Sequence, residues 1–172
     1  MTSAAACRPG DVVITGLGTV NPLGGDVDST WSVLRQSTCA IRHLEHDWVE
    51  AYDLPVRIGA PLAVDPADLL PPRQLRRLDR ASQCALLAAR QAWEQAGAPQ
   101  LAAQSLAVYV YPGMGPVLSV MEAWDTLRDK GPRRVLPTAV PALMPNAPAA
   151  AVGIELGARG GIHAPVSACA SG

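Results

Sequence analysis

Three short apolar runs are separated along this chain by stretches with helical features, and this alternation is the strongest constraint on the fold. The runs cover residues 11–15, 106–111 and 162–167, and each is preceded or followed directly by glycine or proline. Runs of this length and punctuation are typical of buried strands. Strands that alternate with helices predict an α/β protein in which layered helices cover a mixed sheet.

The clearest helix is predicted over residues 79–96, because Gly97 and Pro99 follow it. Its predicted inward face consists of small residues, which would allow a close approach to a sheet or another helix. These residues are Ala81, Cys84, Ala85, Ala88, Ala92 and Ala96.

Three more helices are predicted from capping and punctuation signals. Ser29 or Thr30 is expected to cap a helix that ends near Gln36, with Trp31 and Leu34 facing inward. The other two predicted helices cover residues 117–129 and a stretch that ends at Gly157, with Pro145 or Pro148 in its first turn. A further strand is expected near residues 56–60, and a proline-rich loop is expected to run to Pro145.

The bulk composition restricts the class of protein. The 172 residues are 49% hydrophobic and 17% charged, which indicates one soluble globular domain. The net charge is −1 and the basic residues look scattered along the sequence, so we expect no nucleic-acid partner. We expect no membrane span, because no apolar run approaches ~18 residues. The N-terminal residues lack a signal core, and a cytoplasmic location is therefore predicted.

The cysteines and histidines give no metal or cofactor signal. Four cysteines stand far apart, which favours reduced thiols over a disulfide framework or a zinc site. Cys39, His43 and His46 lie within eight residues but lack a visible fourth ligand, so we interpret them as part of a polar surface loop. We predict that the protein binds no cofactor and no metal.

Gly16 and Gly18 follow the first apolar run and superficially resemble a dinucleotide-binding loop. The third glycine of that motif would fall at position 21, which is Asn21. We therefore interpret the two glycines as a tight turn.

The last seven residues, 166–172, are the strongest candidate for chemistry. Cys169 follows an apolar run and is flanked by Ala168 and Ala170, which would leave the sulfur uncovered. A helix starting at Cys169 would favour the thiolate. The alternative is a small buried hydrophobic residue. His163 would lie roughly 20 Å from Cys169 along a straight strand, so a structural role is predicted for it.

Four sequence blocks resemble the β-ketoacyl-acyl-carrier-protein synthases, which are condensing enzymes with the thiolase-like fold. The blocks are residues 12–24, 80–97, 144–146 with the alanine-rich stretch after them, and 166–172. Residues 132–172 look most similar to actinobacterial members of the type II fatty acid and mycolate system.

The resemblance implies a two-stage reaction. Cys169 would accept an acyl chain as a thioester from acyl carrier protein. Decarboxylation of malonyl-acyl carrier protein would then supply a carbanion that attacks this thioester and lengthens the chain by two carbons. The backbone N–H of Cys169 would form half of the oxyanion hole.

The resemblance also implies a substrate pocket and a dimer. Met114, in the turn after the second apolar run, would line the acyl pocket. Val140, Leu143 and Met144 would reach towards the pocket of a partner subunit. Members of the family are similar in dimerising through the strand before the cysteine, here residues 162–167.

The sequence departs from the family pattern in two ways. Relatives usually have a glycine-rich turn after the second strand, whereas residues 111–116 read Tyr-Pro-Gly-Met-Gly-Pro. The two histidines that drive decarboxylation in the family, with a nearby lysine, belong to its C-terminal half. Residues 1–172 are therefore expected to be an N-terminal portion that lacks the C-terminal half, is poorly stable alone and cannot complete condensation.

Alternative interpretations remain open at this point. One is a non-catalytic truncated paralogue, or an interaction protein that binds acyl carrier protein or a synthase subunit. Another is a polyketide ketosynthase with the same fold.

Overall fold

The computed structural model describes Arg8 and residues 10–171. The prediction that Cys7 is a reduced thiol therefore lies outside the described residues. The described helices are α1 (Val27–Arg35), α2 (Asp47–Ala51), α3 (Pro66–Leu69), α4 (Pro72–Leu75), α5 (Arg80–Gln95), α6 (Val117–Lys130), α7 (Ala139–Leu143) and α8 (Ala147–Leu156). The described strands are β1 (Arg42–His43), β2 (Ile58–Gly59), β3 (Val108–Tyr109) and β4 (Ile162–His163).

Two short sheets accompany these helices. β3 and β4 are parallel, with Val108 opposite Ile162, and the Val110 N–H extends the ladder to the carbonyl of His163 at 3.1 Å. β1 and β2 form an antiparallel pair, which confirms a strand within the predicted range 56–60. The mixed α/β character is confirmed, although the chain is richer in helix than the apolar runs suggested. No helix in the described part of the chain is long and apolar enough to cross a membrane.

The core lies around α5 and α8. Leu86 and Leu87 of α5 pack with Leu70, and Val108 of β3 packs with Ala149 and Val152 of α8. Burial of each large aliphatic side chain stabilises the fold by about 1.5–3 kcal/mol.

The bounds of α5 follow from local signals, and its prediction is confirmed. The carboxylate of Asp79 accepts hydrogen bonds from the N–H groups of Ala81 and Ser82, which caps the helix. Gly97 then takes a left-handed φ of 82°, which ends it. Ala85 of the predicted small-residue face packs against α8, together with Ala89, which was not predicted to face inward.

The most deeply buried side chains of α5 nevertheless lie outside the predicted inward face. They are Ser82, Leu86 and Leu87. Ala88 and Ala92 instead provide the surface on which the chain near Gly16 and Gly18 lies. A Cβ at Gly16 would overlap the carbonyl oxygen of Ala92, and one at Gly18 would overlap that of Ala88.

The prediction of a buried strand at residues 11–15 is wrong. The segment is in no described strand, and Val12 and Ile14 are 101% and 82% exposed. An apolar groove of about 650 Å³ lies between its end, at Thr15, and β3. The chain is held instead on α5, because the N–H groups of Leu17 and Thr19 donate to side chains of that helix.

The tight turn predicted at Gly16 and Gly18 is also corrected. Neither glycine lies in a described turn. Both are required because the backbone approaches the carbonyls of α5 too closely for a Cβ.

The start and the inward face of α1 were predicted incorrectly. The cap is Asp26, whose carboxylate accepts the N–H of Ser29 at 2.7 Å. Ser29 is the third helical residue, and its hydroxyl accepts the N–H of Asp26 at 3.3 Å, which completes a capping box. Trp31 and Leu34 are 58% and 51% exposed, because no described layer covers this face.

The second and third apolar runs form shorter strands than predicted. Each contributes only two residues to the parallel ladder. Pro112 follows the second run and Pro165 interrupts the third, and proline has no N–H to donate. The predicted loop before Pro145 also contains α7. The predictions for α6 and α8 are confirmed, with Pro148 in the first turn of α8 and Gly157 in the left-handed conformation after it.

Candidate active site

Cys169 lies on a short turn that follows β4. The turn spans Ala168–Ser171 and has 3-10 geometry, and its Ala170 N–H donates to the carbonyl of Ser167 at 3.1 Å. The thiol of Cys169 is free and its side chain is exposed. The structure therefore does not show the buried hydrophobic residue that was the alternative interpretation.

Two features define the geometry of this turn. Ala168 has φ of 49°, in the left-handed region that residues with a Cβ rarely adopt. Ser171 is buried, and its hydroxyl accepts the N–H of Ser167 at 2.9 Å. The turn begins one residue before Cys169, and the helix expected to start at the cysteine stays a prediction.

The described thiols have different surroundings. Burial raises the pKa of the Cys84 thiol, which opposes thiolate formation on α5. Cys39 is exposed in the segment between α1 and β1. Only Cys169, among the described cysteines, is both exposed and placed where a parallel strand ends.

The turn after β3 leaves the same edge of the sheet as the turn that bears Cys169, because β3 and β4 are parallel. Gly115 donates its N–H to the carbonyl of Pro112 at 3.0 Å, so the predicted turn is confirmed. Met114 at its tip is 79% exposed.

The structure brings the Met114 turn next to the end of α7. A Cβ built on Gly115 would lie 3.3 Å from the Cα of Pro145, which directly follows Met144. Val140 and Met144 are 65% and 43% exposed, and Leu143 is half-buried. The turn that bears Met114 thus lies beside the residue that follows Met144. Among the described elements, the Ala168–Ser171 turn has no extended packing contact with α6 or α7.

Two of the histidines stack on aromatic rings. His163 stacks on Tyr109 with 4.5 Å between ring centroids, and His46 stacks on Trp48 at 5.3 Å. Within Arg8 and residues 10–171, no three His, Cys, Asp or Glu side chains are grouped so as to hold a metal ion.

Sequence reasoning missed a basic cleft between two distant parts of the chain. A cleft of about 210 Å³ separates the α4–α5 junction from α6 and the residues before α7. Arg76, Arg77 and Arg134 line it, together with the acidic Asp79 and Glu122. The signal available in the sequence was the four arginines among residues 73–80, which the net charge of the whole chain concealed.

The sequence matches the family model described as "Beta-ketoacyl synthase, N-terminal domain" over residues 10–172. It is 38% identical over 161 residues to 3-oxoacyl-[acyl-carrier-protein] synthase 2 of Mycobacterium tuberculosis (strain H37Rv), and 36% identical over 163 residues to the protein of the same name from Staphylococcus aureus (strain COL). Each alignment covers 94% of this chain but 39% of the relative.

Solved structures have the same architecture. A β-ketoacyl synthase from Burkholderia phymatum STM815 superposes with a TM-score of 0.72 at 30% identity, covering 93% of this chain and 40% of that one. A type II polyketide ketosynthase solved with its acyl carrier protein gives 0.64 at 21% identity, covering 86% and 40%, and supports the fold alone.

Over the part that this chain spans, the fold is therefore the thiolase-like α/β fold that the resemblance implied. The family match extends from the N-terminal apolar run, through α5 and β3, to the turn that carries Cys169. The chain belongs to the β-ketoacyl synthase family, and residues 10–172 are the N-terminal domain of that family.

Proposed function

We propose that this chain is the nucleophile-bearing part of a β-ketoacyl-acyl-carrier-protein synthase. The observation that supports this most strongly is the exposed thiol of Cys169 on the turn after β4, in a chain that the family model covers through this turn. The chain spans about two fifths of the length of the curated relatives it matches, so the reaction is attributed to a protein that also contains the remaining family sequence.

Cys169 performs the first stage of the proposed reaction. Its thiolate attacks the carbonyl carbon of an acyl thioester on acyl carrier protein, and the carrier thiol leaves and takes up a proton. The acyl group is then a thioester of Cys169. Thiolate is suited to both stages, since it is a strong nucleophile and a good leaving group.

The second stage forms the carbon–carbon bond. Malonyl-acyl carrier protein loses CO₂, and the resulting carbanion attacks the acyl carbonyl. The C–S bond breaks and the Cys169 thiolate leaves. We propose that the Cys169 N–H provides half of the oxyanion hole.

The acyl chain is proposed to contact an exposed apolar surface near the partner subunit. Met114, Val140, Leu143 and Met144 are its proposed residues. The packing of Gly115 against Pro145 supports this grouping, because it joins the two segments that supply them. The exposure of Met114 and Val140 leaves their side chains available to an apolar ligand.

Acyl carrier protein is the proposed macromolecular partner. The cleft that contains Arg76, Arg77 and Arg134 supports this, since a phosphate-bearing carrier arm or an acidic protein surface complements clustered guanidinium groups. The polyketide ketosynthase neighbour was itself solved with an acyl carrier protein.

A homodimer through residues 162–167 is the proposed assembly. Within the described residues, β4 pairs with a strand on one edge only. Ile162 and Val166 are 41% and 50% exposed along this segment. An open strand edge with exposed apolar side chains favours pairing with another strand. A cytoplasmic location remains a prediction of the sequence.

The proposal is tested by mass spectrometry of the chain after incubation with dodecanoyl-pantetheine. We expect one dodecanoyl group on the peptide that contains Cys169. Cys169→Ala should abolish this modification, whereas Cys39→Ala, which removes another exposed thiol, should leave it unchanged. Equal acylation of Cys39 and Cys169 in the unmodified chain would contradict the proposal.

The names of the curated relatives favour the condensing enzyme over a non-catalytic interaction protein. The proline-containing turn at residues 111–116 still distinguishes this chain from the usual family pattern. The acylation test separates the two functions, because an interaction protein does not require acyl transfer to Cys169.

A further inference from the structure

We propose that Ser171 is a positioning residue that holds the turn on which Cys169 is presented. The inference rests on the proposed function, because it concerns the delivery of Cys169 to an acyl thioester. Ser171 itself contacts no reacting atom in this proposal and acts through the backbone of Ser167 and Ala168.

The turn contains a conformation that requires support. Ala168 has φ of 49°, and this left-handed conformation is unfavourable for a residue with a Cβ. Such a residue persists only where its surroundings hold it. Its position directly before Cys169 means that relaxation of its φ would rotate the cysteine with respect to the sheet.

The support comes from both main-chain groups of Ser167. Its N–H donates to the hydroxyl of Ser171 at 2.9 Å, and its carbonyl accepts the N–H of Ala170 at 3.1 Å. These two bonds connect Ser167 to Ala170 and Ser171, on the other side of Cys169. They fix the peptide group that precedes Ala168.

Ser171 is 7% exposed whereas Cys169 is exposed, so the serine is buried beneath the turn that presents the thiol. Water cannot easily replace a buried hydroxyl. Removal of the hydroxyl therefore leaves the Ser167 N–H without its acceptor, and the turn relaxes.

This arrangement predicts a split between two reactions of the same sulfur. Acyl transfer needs the thiol and the Cys169 N–H in one orientation relative to the incoming carbonyl. Alkylation by iodoacetamide needs only an accessible thiol. Relaxation of the turn should therefore slow the first reaction much more than the second.

The experiment compares the unmodified chain with Ser171→Ala and Ser171→Thr. We expect Ser171→Ala to slow dodecanoyl transfer from dodecanoyl-pantetheine to Cys169 by about tenfold, the equivalent of one hydrogen bond. Iodoacetamide labelling of Cys169 should change less than about twofold, and Ser171→Thr, which keeps the hydroxyl, should restore acyl transfer. Equal rates in Ser171→Ala and the unmodified chain would overturn the proposal.

Labelling of Cys84 reports whether each variant is folded in the same samples. Half-buried Cys84 should label slowly in every variant, and faster labelling at this position would reveal unfolding. If Ser171→Ala unfolds, the isosteric pair Ser171→Thr and Ser171→Val decides the question, since only threonine has the hydroxyl. Slower transfer in the valine variant alone supports the positioning role, and equal transfer in the pair refutes it.

A separate measurement distinguishes failure of the proposed function from failure of the Ser171 proposal. If the unmodified chain accepts no acyl group, the proposed function fails for this chain, and amide hydrogen exchange then tests Ser171. Faster exchange of the Ser167 N–H in Ser171→Ala supports the positioning bond, whereas unchanged exchange overturns it.

Discussion

The region around α5 and α8 and the N-terminal apolar run have similar apolar character but opposite exposure. Leu86, Ala149 and Val152 are 2%, 0% and 5% exposed, whereas Val12 and Ile14 are almost fully exposed. The first region has helices packed on each other and on β3. The chain contacts α5 after this second region, at Gly16 and Leu17, and no described layer covers Val12 or Ile14. Apolar sequence therefore produces a core only where a second surface is present.

The contrast extends to α1 and α6. The apolar side chains Trp31 and Trp124 are 58% and 60% exposed on these helices. α1 is stabilised at its start by the local capping box and contains no buried residue. Regular structure at these sites comes from hydrogen bonding within the helix, joined in α1 by its cap, and packing contributes less than it does in α5.

The largest expected effect is on the packed region. Leu86→Ala should lower the free energy of unfolding by about 2–5 kcal/mol, because it leaves a cavity beneath α5. Ile14→Ala, on the exposed run, should lower it by less than about 0.5 kcal/mol. Urea unfolding followed by circular dichroism measures both variants. Similar losses in the two variants would remove the distinction between the regions.

A smaller effect is expected where the N-terminal run touches the packed region. Gly16→Ala should cost about 1–3 kcal/mol, because its Cβ would overlap the carbonyl oxygen of Ala92 and force the chain off α5. Limited proteolysis should then cut residues 11–17 more rapidly than in the unmodified chain. Val13→Ala, at a 55% exposed position, is the control and should change neither unfolding nor cleavage. Unchanged cleavage of Gly16→Ala would show that this contact does not hold the segment.

The smallest expected effect is the pH dependence of α1. The Ser29 hydroxyl and then its N–H hold the pKa of Asp26 below the ordinary value of 3.8. Because the folded pKa is lowered, the stabilisation is fully present above the unfolded value of 3.8 and is lost as the pH falls through the folded pKa.

Ser29→Ala should therefore reduce the loss of α1 stability seen in acid, measured by amide exchange in this helix between about pH 6 and 3. Ser32→Ala, three residues further along the same helix, should retain the acid dependence of the unmodified chain. An acid dependence in Ser29→Ala as steep as in the unmodified chain would show that the cap is not its source.

Prediction from sequence succeeded where the signal and the structure are local. Asp79 and Gly97 delimit α5, and Pro148 and Gly157 delimit α8, because caps and breakers act within one turn of the helix they bound. The accessibility of Cys169 likewise follows from its small neighbours. The resemblance identified the family because the motifs occur in order along the chain.

Prediction failed where strand pairing or a contact depends on a segment that is distant in the sequence. Residues 11–15 have the pattern of a buried strand, yet no described strand pairs with them. The basic cleft brings Arg76 and Arg77 to Arg134 across more than fifty positions, which no local pattern reports.

The sequence alone determined the boundaries of α5 and α8, the family and the identity of the candidate nucleophile, since each depends on neighbouring residues or on motif order. Tertiary structure decided which apolar residues are buried, why Gly16 and Gly18 must lack a Cβ, and how the Ser171 hydroxyl closes the turn around Cys169. These outcomes depend on distances between atoms of separate segments, or on the φ of a single residue such as Ala168. Neither quantity can be read from the order of the amino acids.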